Sequence, residues 1–279
     1  MTVKDFNPKA IKALAIDLDG TLLRPDKTLS TRTLHALRSC MDRGIGIILA
    51  TGRAVGSGEK YRKQIGASGP QIYYNGAQVV DMDAGKLIHK KYVDPGPILF
   101  CVRMAREMGL YYQAFFPAEE GTGEILMAER MAEEAETYIK SSGVKIVIGD
   151  LEEHLSKATA IIKGMFITPE KNHEKLRLRL LEKYGESLYI VQTTPIFLEI
   201  LAEGVSKGSG LEYALSYLNI KKEETIAFGD EENDLPMFDI AGFSAAPANA
   251  KEKVRKAALF HIPPDEEDGV ASFLEEHFG

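Results

Sequence analysis

The feature that most constrains this chain is a pair of aspartates, Asp17 and Asp19, directly after the apolar segment 13–16. Carboxylates at the end of a buried strand are costly to desolvate unless a cation or a reaction uses them. Side chains two residues apart on a strand share a face, so both carboxylates can address one point. The pair therefore predicts a reactive site, with one carboxylate as nucleophile and the other as general acid and base.

The acidic pair also admits two other interpretations. One is structural, with one aspartate capping a helix and the other in a turn. The second is a calcium loop, because such loops also contain two aspartates at this spacing. A calcium loop needs a glutamate at its twelfth position, and counting from Asp17 this position is Thr28. The calcium interpretation is therefore excluded.

Composition narrows the class of protein. The 279 residues are enough for one large domain or two ordinary ones, and 44% are hydrophobic, as in a globular protein. The net charge of −7 argues against a nucleic-acid surface, which needs clustered lysine and arginine. The sequence has no run of about 18 apolar residues, so we expect no membrane span. Cys40 and Cys101 lie in apolar helical patterns, and the first residues lack a signal-peptide core. We therefore expect a cytoplasmic protein, either monomer or homodimer, without nucleic-acid or membrane partners.

The pattern of strands and helices divides the chain. Residues 1–80 and 200–279 alternate short apolar strands with amphipathic helices, which indicates an α/β fold with a doubly wound, mostly parallel, Rossmann-like sheet. Residues 78–93 carry a hairpin signal with Asp83-Ala84-Gly85 at the turn, and residues 81–199 contain longer strands and longer helices. This change predicts an inserted α+β domain that interrupts the first one.

Polar residues also follow a second predicted strand, 45–50. Thr51, Gly52 and Arg53 come directly after it and precede a predicted helix. Open parallel sheets bind ligands at the carboxyl ends of their strands, and a hydroxyl with backbone amides near a helix N-terminus suits a phosphate oxygen. The alternative is that Thr51 is an ordinary helix cap.

A third strand, 225–228, is followed by four carboxylates within residues 229–234. Such a cluster repels itself unless a cation lies among its members, and Mg²⁺ is typically held by one or two carboxylates. The alternative is a solvated turn in which Asn233 or Asp234 caps the next helix. Lys207 at a predicted helix start opposes the helix dipole, which an anion nearby would offset, although a lone lysine is usually just solvated.

Together these segments resemble the haloacid dehalogenase-like superfamily, in particular its Cof-type phosphatases with a large α/β cap. The motifs that carry the resemblance are, in chain order, Asp17-Leu18-Asp19-Gly20-Thr21, Thr51-Gly52-Arg53, Lys207 within Gly204-Val205-Ser206-Lys207-Gly208, and Gly229-Asp230 followed by Asn233-Asp234. Tyr74-Asn75-Gly76-Ala77 is similar to the subfamily's segment at the cap hinge. The inserted domain stands where this subfamily carries its specificity cap.

The resemblance implies a role for each matched residue. Asp17 would attack phosphorus and form an aspartyl-phosphate, and Asp19 would protonate the leaving group and then activate water. The phosphoryl group would be bound by Thr51, Gly52, Lys207 and Asn233. Mg²⁺ would be bound by the Asp17 carboxylate, the Asp19 backbone carbonyl and Asp230. Further candidates for the site are Asp234, Arg53 and Asn75.

The function expected from this resemblance is a magnesium-dependent phosphatase that acts on small phosphorylated metabolites, such as sugar phosphates. The same residues could serve a phosphomutase of the phosphomannomutase type, which returns the phosphoryl group to a second hydroxyl. A non-catalytic phosphometabolite-binding protein on this fold is the alternative of a different class. A dehalogenase is disfavoured, because Asp19 would have no leaving alkoxide to protonate.

Overall fold

A computed structural model describes residues 1–118 and 123–279, without the side chain of Ser141. The chain divides into two compact units. The first unit comprises Met1–Thr51, Glu59–His89 and Ser206–Gly279, and the second comprises Gly52–Gly58 and Lys90–Val205. The boundaries expected from the sequence, at 81 and 199, stay a prediction.

The regular elements follow each other in the order that an interrupted α/β fold requires. The strands are β1 Ala13–Ile16, β2 Gly46–Leu49, β3 Pro70–Tyr73, β4 Gln78–Asp81, β5 Lys86–Lys90, β6 Tyr111–Pro117, β7 Glu124–Ala128, β8 Ile146–Ile148, β9 Lys163–Ile167, β10 Leu188–Thr194, β11 Phe197–Ala202, β12 Thr225–Phe228, β13 Phe243–Pro247 and β14 Phe260–Ile262. The α-helices are α1 Thr31–Asp42, α2 Val55–Ile65, α3 Pro95–Met108, α4 Glu133–Ser142, α5 Leu151–Lys157, α6 His173–Tyr184, α7 Lys207–Leu218, α8 Leu235–Ile240, α9 Glu252–Ala257 and α10 Gly269–Phe278.

The first unit contains a parallel five-stranded sheet in the order β14-β13-β12-β1-β2. The strand β1 lies between β12 and β2, with Ile16 opposite Phe228 on one side and Leu49 on the other. The carboxyl ends of these three strands are therefore neighbours, which is where an open parallel sheet binds ligands.

The two faces of this sheet differ in residue size. On one face Leu14 and Ile16 join a large core with side chains of α1 and α10. On the other face Ala13 and Ala15 pack with Leu211 and other side chains of α7. Alternation of side chains along a strand produces the two cores, and the small alanines leave room for α7 to approach the sheet.

A second, smaller sheet of the first unit has the order β3-β4-β5. It connects to the parallel sheet through a bridge between Ala50 and Ile72 and through the buried side chain of Gln71. The Gln71 Oε1 accepts from the Leu49 backbone N–H at 2.9 Å. The adjacent strands β4 and β5, joined by residues 82–85, form the hairpin that the sequence predicts.

The second unit is built on a mixed sheet of six strands in the order β10-β11-β9-β6-β7-β8. Its strand pairs are antiparallel except β7 and β8, which run parallel. The expected fold class, a parallel α/β core with an additional α+β part, is confirmed. Within the described part of the chain, no helix combines the length and apolar character needed to cross a membrane.

Three short elements were not predicted, namely β8, α5 and α9. The strand β8 has exposed Val147 and Ile148, so its apolar residues give no buried pattern. The helix α9 buries only Val254, and one apolar position sets no helical period.

Candidate active site

Asp17 stands at the end of β1 and is 5% exposed. Its backbone N–H donates to the Phe228 carbonyl, which continues the ladder to β12 for one more residue. The chain then turns at Gly20, whose φ is +87°. A Cβ on Gly20 would lie 2.3 Å from the Asp230 Oδ2, so only glycine allows the two segments to approach this closely.

Asp19, two residues later, has a more open position. Its side chain is 36% exposed, and its Oδ1 lies 2.9 Å from the Lys27 Nζ. Exposure to solvent is compatible with an acid and base that must exchange protons during a reaction.

Lys207 is the first residue of α7 and is 2% exposed. Ser206 caps the helix by accepting from the Ser209 backbone N–H, which fixes where the helix begins. The Lys207 Nζ lies 2.6 Å from the Asp17 Oδ1 and 2.6 Å from the Asp234 Oδ1. A lysine buried so deeply requires such partners, and here they are the residues that the sequence places in one site.

Asp230 and Asp234 follow β12 and are both buried. The Asp234 Oδ2 accepts from the backbone N–H groups of Asp230 at 2.9 Å and Glu231 at 3.0 Å. The Asp230 Oδ1 accepts from the Thr21 hydroxyl at 2.8 Å. Asp234 thus holds both Lys207 and the backbone that carries Asp230.

Thr51, Asn75 and Asn233 form a third set of contacts in the first unit, and all three are buried. The Asn75 backbone N–H donates to the Thr51 carbonyl at 3.0 Å. The Asn233 Nδ2 donates to the Asn75 Oδ1 at 2.9 Å. Asn75 has a φ of +55°, which asparagine tolerates better than most residues. Through these two hydrogen bonds Asn75 links the residue after β2 to the segment after β12.

Burial and like charge dominate the electrostatics of this site. Burial, together with the charges of Asp234 and Asp19, raises the pKa of Asp17 to about 7 despite Lys207. Burial, with Asp17 and Asp234, raises the pKa of Asp230 to about 9. Burial alone would lower the pKa of Lys207, but Asp17 and Asp234 outweigh it and raise that pKa. A cation beside these carboxylates would favour their charged forms.

The donor set fits a hard divalent cation. Carboxylate oxygens of Asp17, Asp230 and Asp234 lie within 4.8 Å of one another. Because both Asp234 oxygens already accept hydrogen bonds, Asp17 and Asp230 remain as the better ligands. The buried Asn233 Oδ1 has no hydrogen-bond partner among the described residues, and a metal-bound water would satisfy such an acceptor. Oxygen ligands with retained waters are the coordination that Mg²⁺ prefers.

Most of the predicted site residues meet in the first unit. Asp17 contacts Lys207, Lys207 contacts Asp234, and Asn75 links Thr51 to Asn233. Gly52 and Arg53 follow Thr51 directly in the chain but belong to the second unit. The assigned roles of all these residues stay predictions.

Sequence reasoning missed two contacts around the site. The first contact is between Lys27 and Asp19, and Lys27 lies in a turn with a φ of +64°. No sequence pattern predicts this pairing. The second contact is that of Glu231, one of the four carboxylates after β12, whose Oε2 lies 2.7 Å from the Lys251 Nζ. A lysine twenty residues away in sequence gives no signal of such a contact.

Comparison with known proteins places this geometry in a family. The family model of haloacid dehalogenase-like hydrolases matches residues 14–274, which covers both units. The 5-amino-6-(5-phospho-D-ribitylamino)uracil phosphatase YitU of Bacillus subtilis strain 168 is 28% identical over 270 residues, or 95% of this chain and 97% of its own.

Solved structures show the same relationship. BT1666 from Bacteroides thetaiotaomicron, a phosphatase of the same superfamily, has a TM-score of 0.79 and 28% identity, covering 97% of this chain and 96% of its own. The subclass IIB sugar phosphatase BT4131 has a TM-score of 0.81 at 23% identity, covering 95% and 98%, and supports the fold. The chain therefore belongs to the haloacid dehalogenase-like hydrolases and is a phosphatase.

Proposed function

We propose that this phosphatase is magnesium-dependent and works through an aspartyl-phosphate on Asp17. The observation that carries the proposal is the environment of the Asp17 carboxylate, which is buried at the end of β1 with the Lys207 Nζ at 2.6 Å. Asp230 lies within the same cluster of oxygens. Phosphoryl transfer needs little covalent chemistry from the protein and depends on positioning and charge neutralisation, which this cluster can supply.

The reaction proceeds in two steps. In the first, an oxygen of Asp17 bonds to phosphorus as the bond from phosphorus to the leaving oxygen breaks, and Asp19 gives that oxygen its proton. In the second, Asp19 takes a proton from water, the water oxygen bonds to phosphorus, and the bond to Asp17 breaks to release phosphate. The half-exposed side chain of Asp19 suits both proton transfers.

The remaining residues of the site bind and orient the phosphoryl group. Lys207 and the Thr51 hydroxyl hold phosphoryl oxygens, with Gly52 and Asn233 as further contacts. Asp234 keeps Lys207 beside Asp17 through its 2.6 Å contact with the Nζ. Asp17, Asp230 and the backbone carbonyl of Asp19 would hold Mg²⁺, which neutralises charge on the transferring group when bound.

The substrate class that we propose is a small phosphorylated metabolite with a sugar or sugar-alcohol chain. The support comes from relatives, since one is named for a phosphoribitylamino substrate and another as a sugar phosphatase. We place the residues that select the leaving group in the inserted domain, 81–199, because the first unit supplies contacts suited to the phosphoryl group alone.

The decisive experiment has two parts. Purified protein is assayed with an aryl phosphate and a panel of sugar phosphates, with Mg²⁺ or with EDTA. Acid-quenched protein from the aryl phosphate reaction is then examined by mass spectrometry for a phosphoryl group on the peptide that contains Asp17. Magnesium-dependent release of phosphate and modification of that peptide are expected. Activity that survives EDTA, or a phosphoryl group on another residue, would contradict the proposal. A requirement for a bisphosphate activator would indicate a phosphomutase instead.

A further inference from the structure

The second unit contains a fully buried ion pair, between Lys163 on β9 and Glu199 on β11. The Lys163 Nζ lies 2.7 Å from the Glu199 Oε1, and the two side chains are 1% and 4% exposed. The strands are antiparallel neighbours, with Glu199 opposite Met165. Removing both charges from water is costly, and their attraction offsets this cost only with good geometry and further hydrogen bonds.

Each member of the pair has such further partners. The Thr193 hydroxyl donates to the Glu199 Oε1 at 3.3 Å. The Lys163 Nζ lies 4.9 Å from the centre of the Phe115 ring, a favourable position for a cation. The same Nζ donates to the backbone carbonyl of Gly52 at 3.0 Å. The pair therefore connects two strands of the second unit to the segment that follows Thr51.

The bond to Gly52 has a consequence for its neighbour. Peptide bonds in the described residues are trans, so the carbonyl of Gly52 and the N–H of Arg53 point in opposite directions. Fixing the carbonyl on Lys163 therefore fixes the direction of the Arg53 N–H. Glycine has more backbone freedom than other residues, so Gly52 especially needs such a restraint.

We propose that Lys163, held in place by Glu199, is a positioning residue for the phosphoryl-binding segment 51–53. The inference rests on the proposed function, in which Thr51 and Gly52 contact the phosphoryl group. Lys163 acts through the peptide of Gly52 and not on the leaving group. Its effect should therefore be the same for every phosphate ester and for inorganic phosphate, which has no leaving group.

The test uses four variants of the full-length protein. Lys163→Met removes the charge and the bond to Gly52, Glu199→Gln weakens the anchor of Lys163, and Lys163→Arg restores a cation. Arg179→Met is the matched control, because it breaks an exposed ion pair of the same unit, with Glu107. For each variant we would measure kcat and KM for an aryl phosphate and a sugar phosphate, inhibition by inorganic phosphate with Mg²⁺, and the unfolding temperature.

We expect Lys163→Met to weaken inorganic phosphate binding and to raise KM for both esters by a common factor of about 10- to 100-fold, the range for a lost hydrogen bond to a charged group. Glu199→Gln should show a smaller change in the same direction, and Lys163→Arg should recover part of it. Arg179→Met should match the wild type. If Lys163→Met does not fold, Glu199→Gln alone carries the test.

Two results would overturn the inference. Weaker binding of the sugar phosphate with unchanged inhibition by inorganic phosphate would make Lys163 a contact of the leaving group. A lower unfolding temperature with unchanged KM and phosphate inhibition would make the pair structural only. Failure of the proposed function is distinguishable from both, because it would appear in the wild type as absent turnover or as turnover without Mg²⁺.

Discussion

Among the described residues, each unit buries one lysine almost completely, and the two lysines differ in their partners. Lys207 in the first unit is 2% exposed and contacts Asp17 and Asp234, with Asp230 in the same cluster. Lys163 in the second unit is 1% exposed, and its Nζ contacts the Glu199 carboxylate and the backbone carbonyl of Gly52. The first cluster gathers three carboxylates beside Lys207, whereas at the second site Lys163 pairs with Glu199 and also binds a neutral carbonyl.

This difference in partners predicts a chemical role for the first cluster and a positioning role for the second. A buried cluster with excess negative charge can relieve its repulsion by binding protons or a metal ion, so it responds to pH and to Mg²⁺. A buried lysine that is held by a carboxylate and binds a backbone carbonyl is suited to a fixed contact. We therefore expect substitutions in the first cluster to alter chemistry and metal affinity, and those in the second to alter phosphate binding.

The largest effect is expected for Asp17→Asn. An amide neither attacks phosphorus nor binds Mg²⁺ as well as a carboxylate, so kcat should fall by about 10³-fold or more, as for other removed nucleophiles. Steady-state kinetics with an aryl phosphate would measure the loss, with circular dichroism to verify folding. A folded variant that retains a tenth of the wild-type rate would remove Asp17 as the nucleophile.

Lys207→Met tests the charge balance of the first cluster directly. Loss of its contact to the phosphoryl group should lower kcat by about 100-fold. The free energy of unfolding without metal should fall by about 3–5 kcal/mol, because Asp17 and Asp234 stay buried without their cation. Urea unfolding with EDTA would measure the stability. Wild-type stability in this variant would show that the cluster is not balanced by Lys207.

Asp230→Asn should separate metal binding from folding. The concentration of Mg²⁺ needed for half-maximal activity should rise by at least about 10-fold, since one carboxylate ligand is lost. Without metal the variant should be as stable as the wild type or more so, because an amide is neutral beside Asp17 and Asp234 without having to bind a proton. Titration of activity with Mg²⁺ and unfolding with EDTA would test both. An unchanged requirement for Mg²⁺ would exclude Asp230 as a ligand.

The pH dependence of metal-free stability gives a related prediction. The pKa of Asp230 is about 9 in the folded protein and about 3.9 when unfolded, so the folded state binds more protons between these values. Its contribution to stability is full below about pH 3.9 and is lost as pH rises through about 9. Metal-free unfolding should therefore become easier from pH 6 to pH 9. Asp230→Asn should show a shallower slope, and an identical slope would contradict this cause.

The smallest effect is expected for Lys27→Gln. Lys27 pairs with Asp19, but the two side chains are 47% and 36% exposed, so solvent and salt screen the interaction. Exposed pairs contribute about 0.2–1 kcal/mol, which limits the change in kcat/KM to about fivefold. The difference from wild type should shrink as salt is added. A loss above about 50-fold that persists in high salt would mean that Lys27 itself takes part in the reaction.

The amino-acid sequence by itself determined the family, the class of fold and the order of the site segments. Apolar strands followed by Asp17, Thr51 or Asp230 predict a ligand site at one edge of a parallel sheet. This prediction is possible because strands and turns depend mainly on residues that are close in sequence. These predictions for family and fold are confirmed. Short elements such as β8 and α9 were not predicted, because they bury too few apolar residues to show a hydrophobic period.

Only the tertiary structure decided which charged side chain meets which. Lys207 and Asp17 are 190 residues apart in the chain, and Lys163 and Gly52 are 111 apart. Sequence alone left Lys207 open to a solvated interpretation and gave no sign of Lys163. The physical reason is that pairing in a low-dielectric interior depends on burial and on distances of a few ångströms, which packing of the whole unit sets.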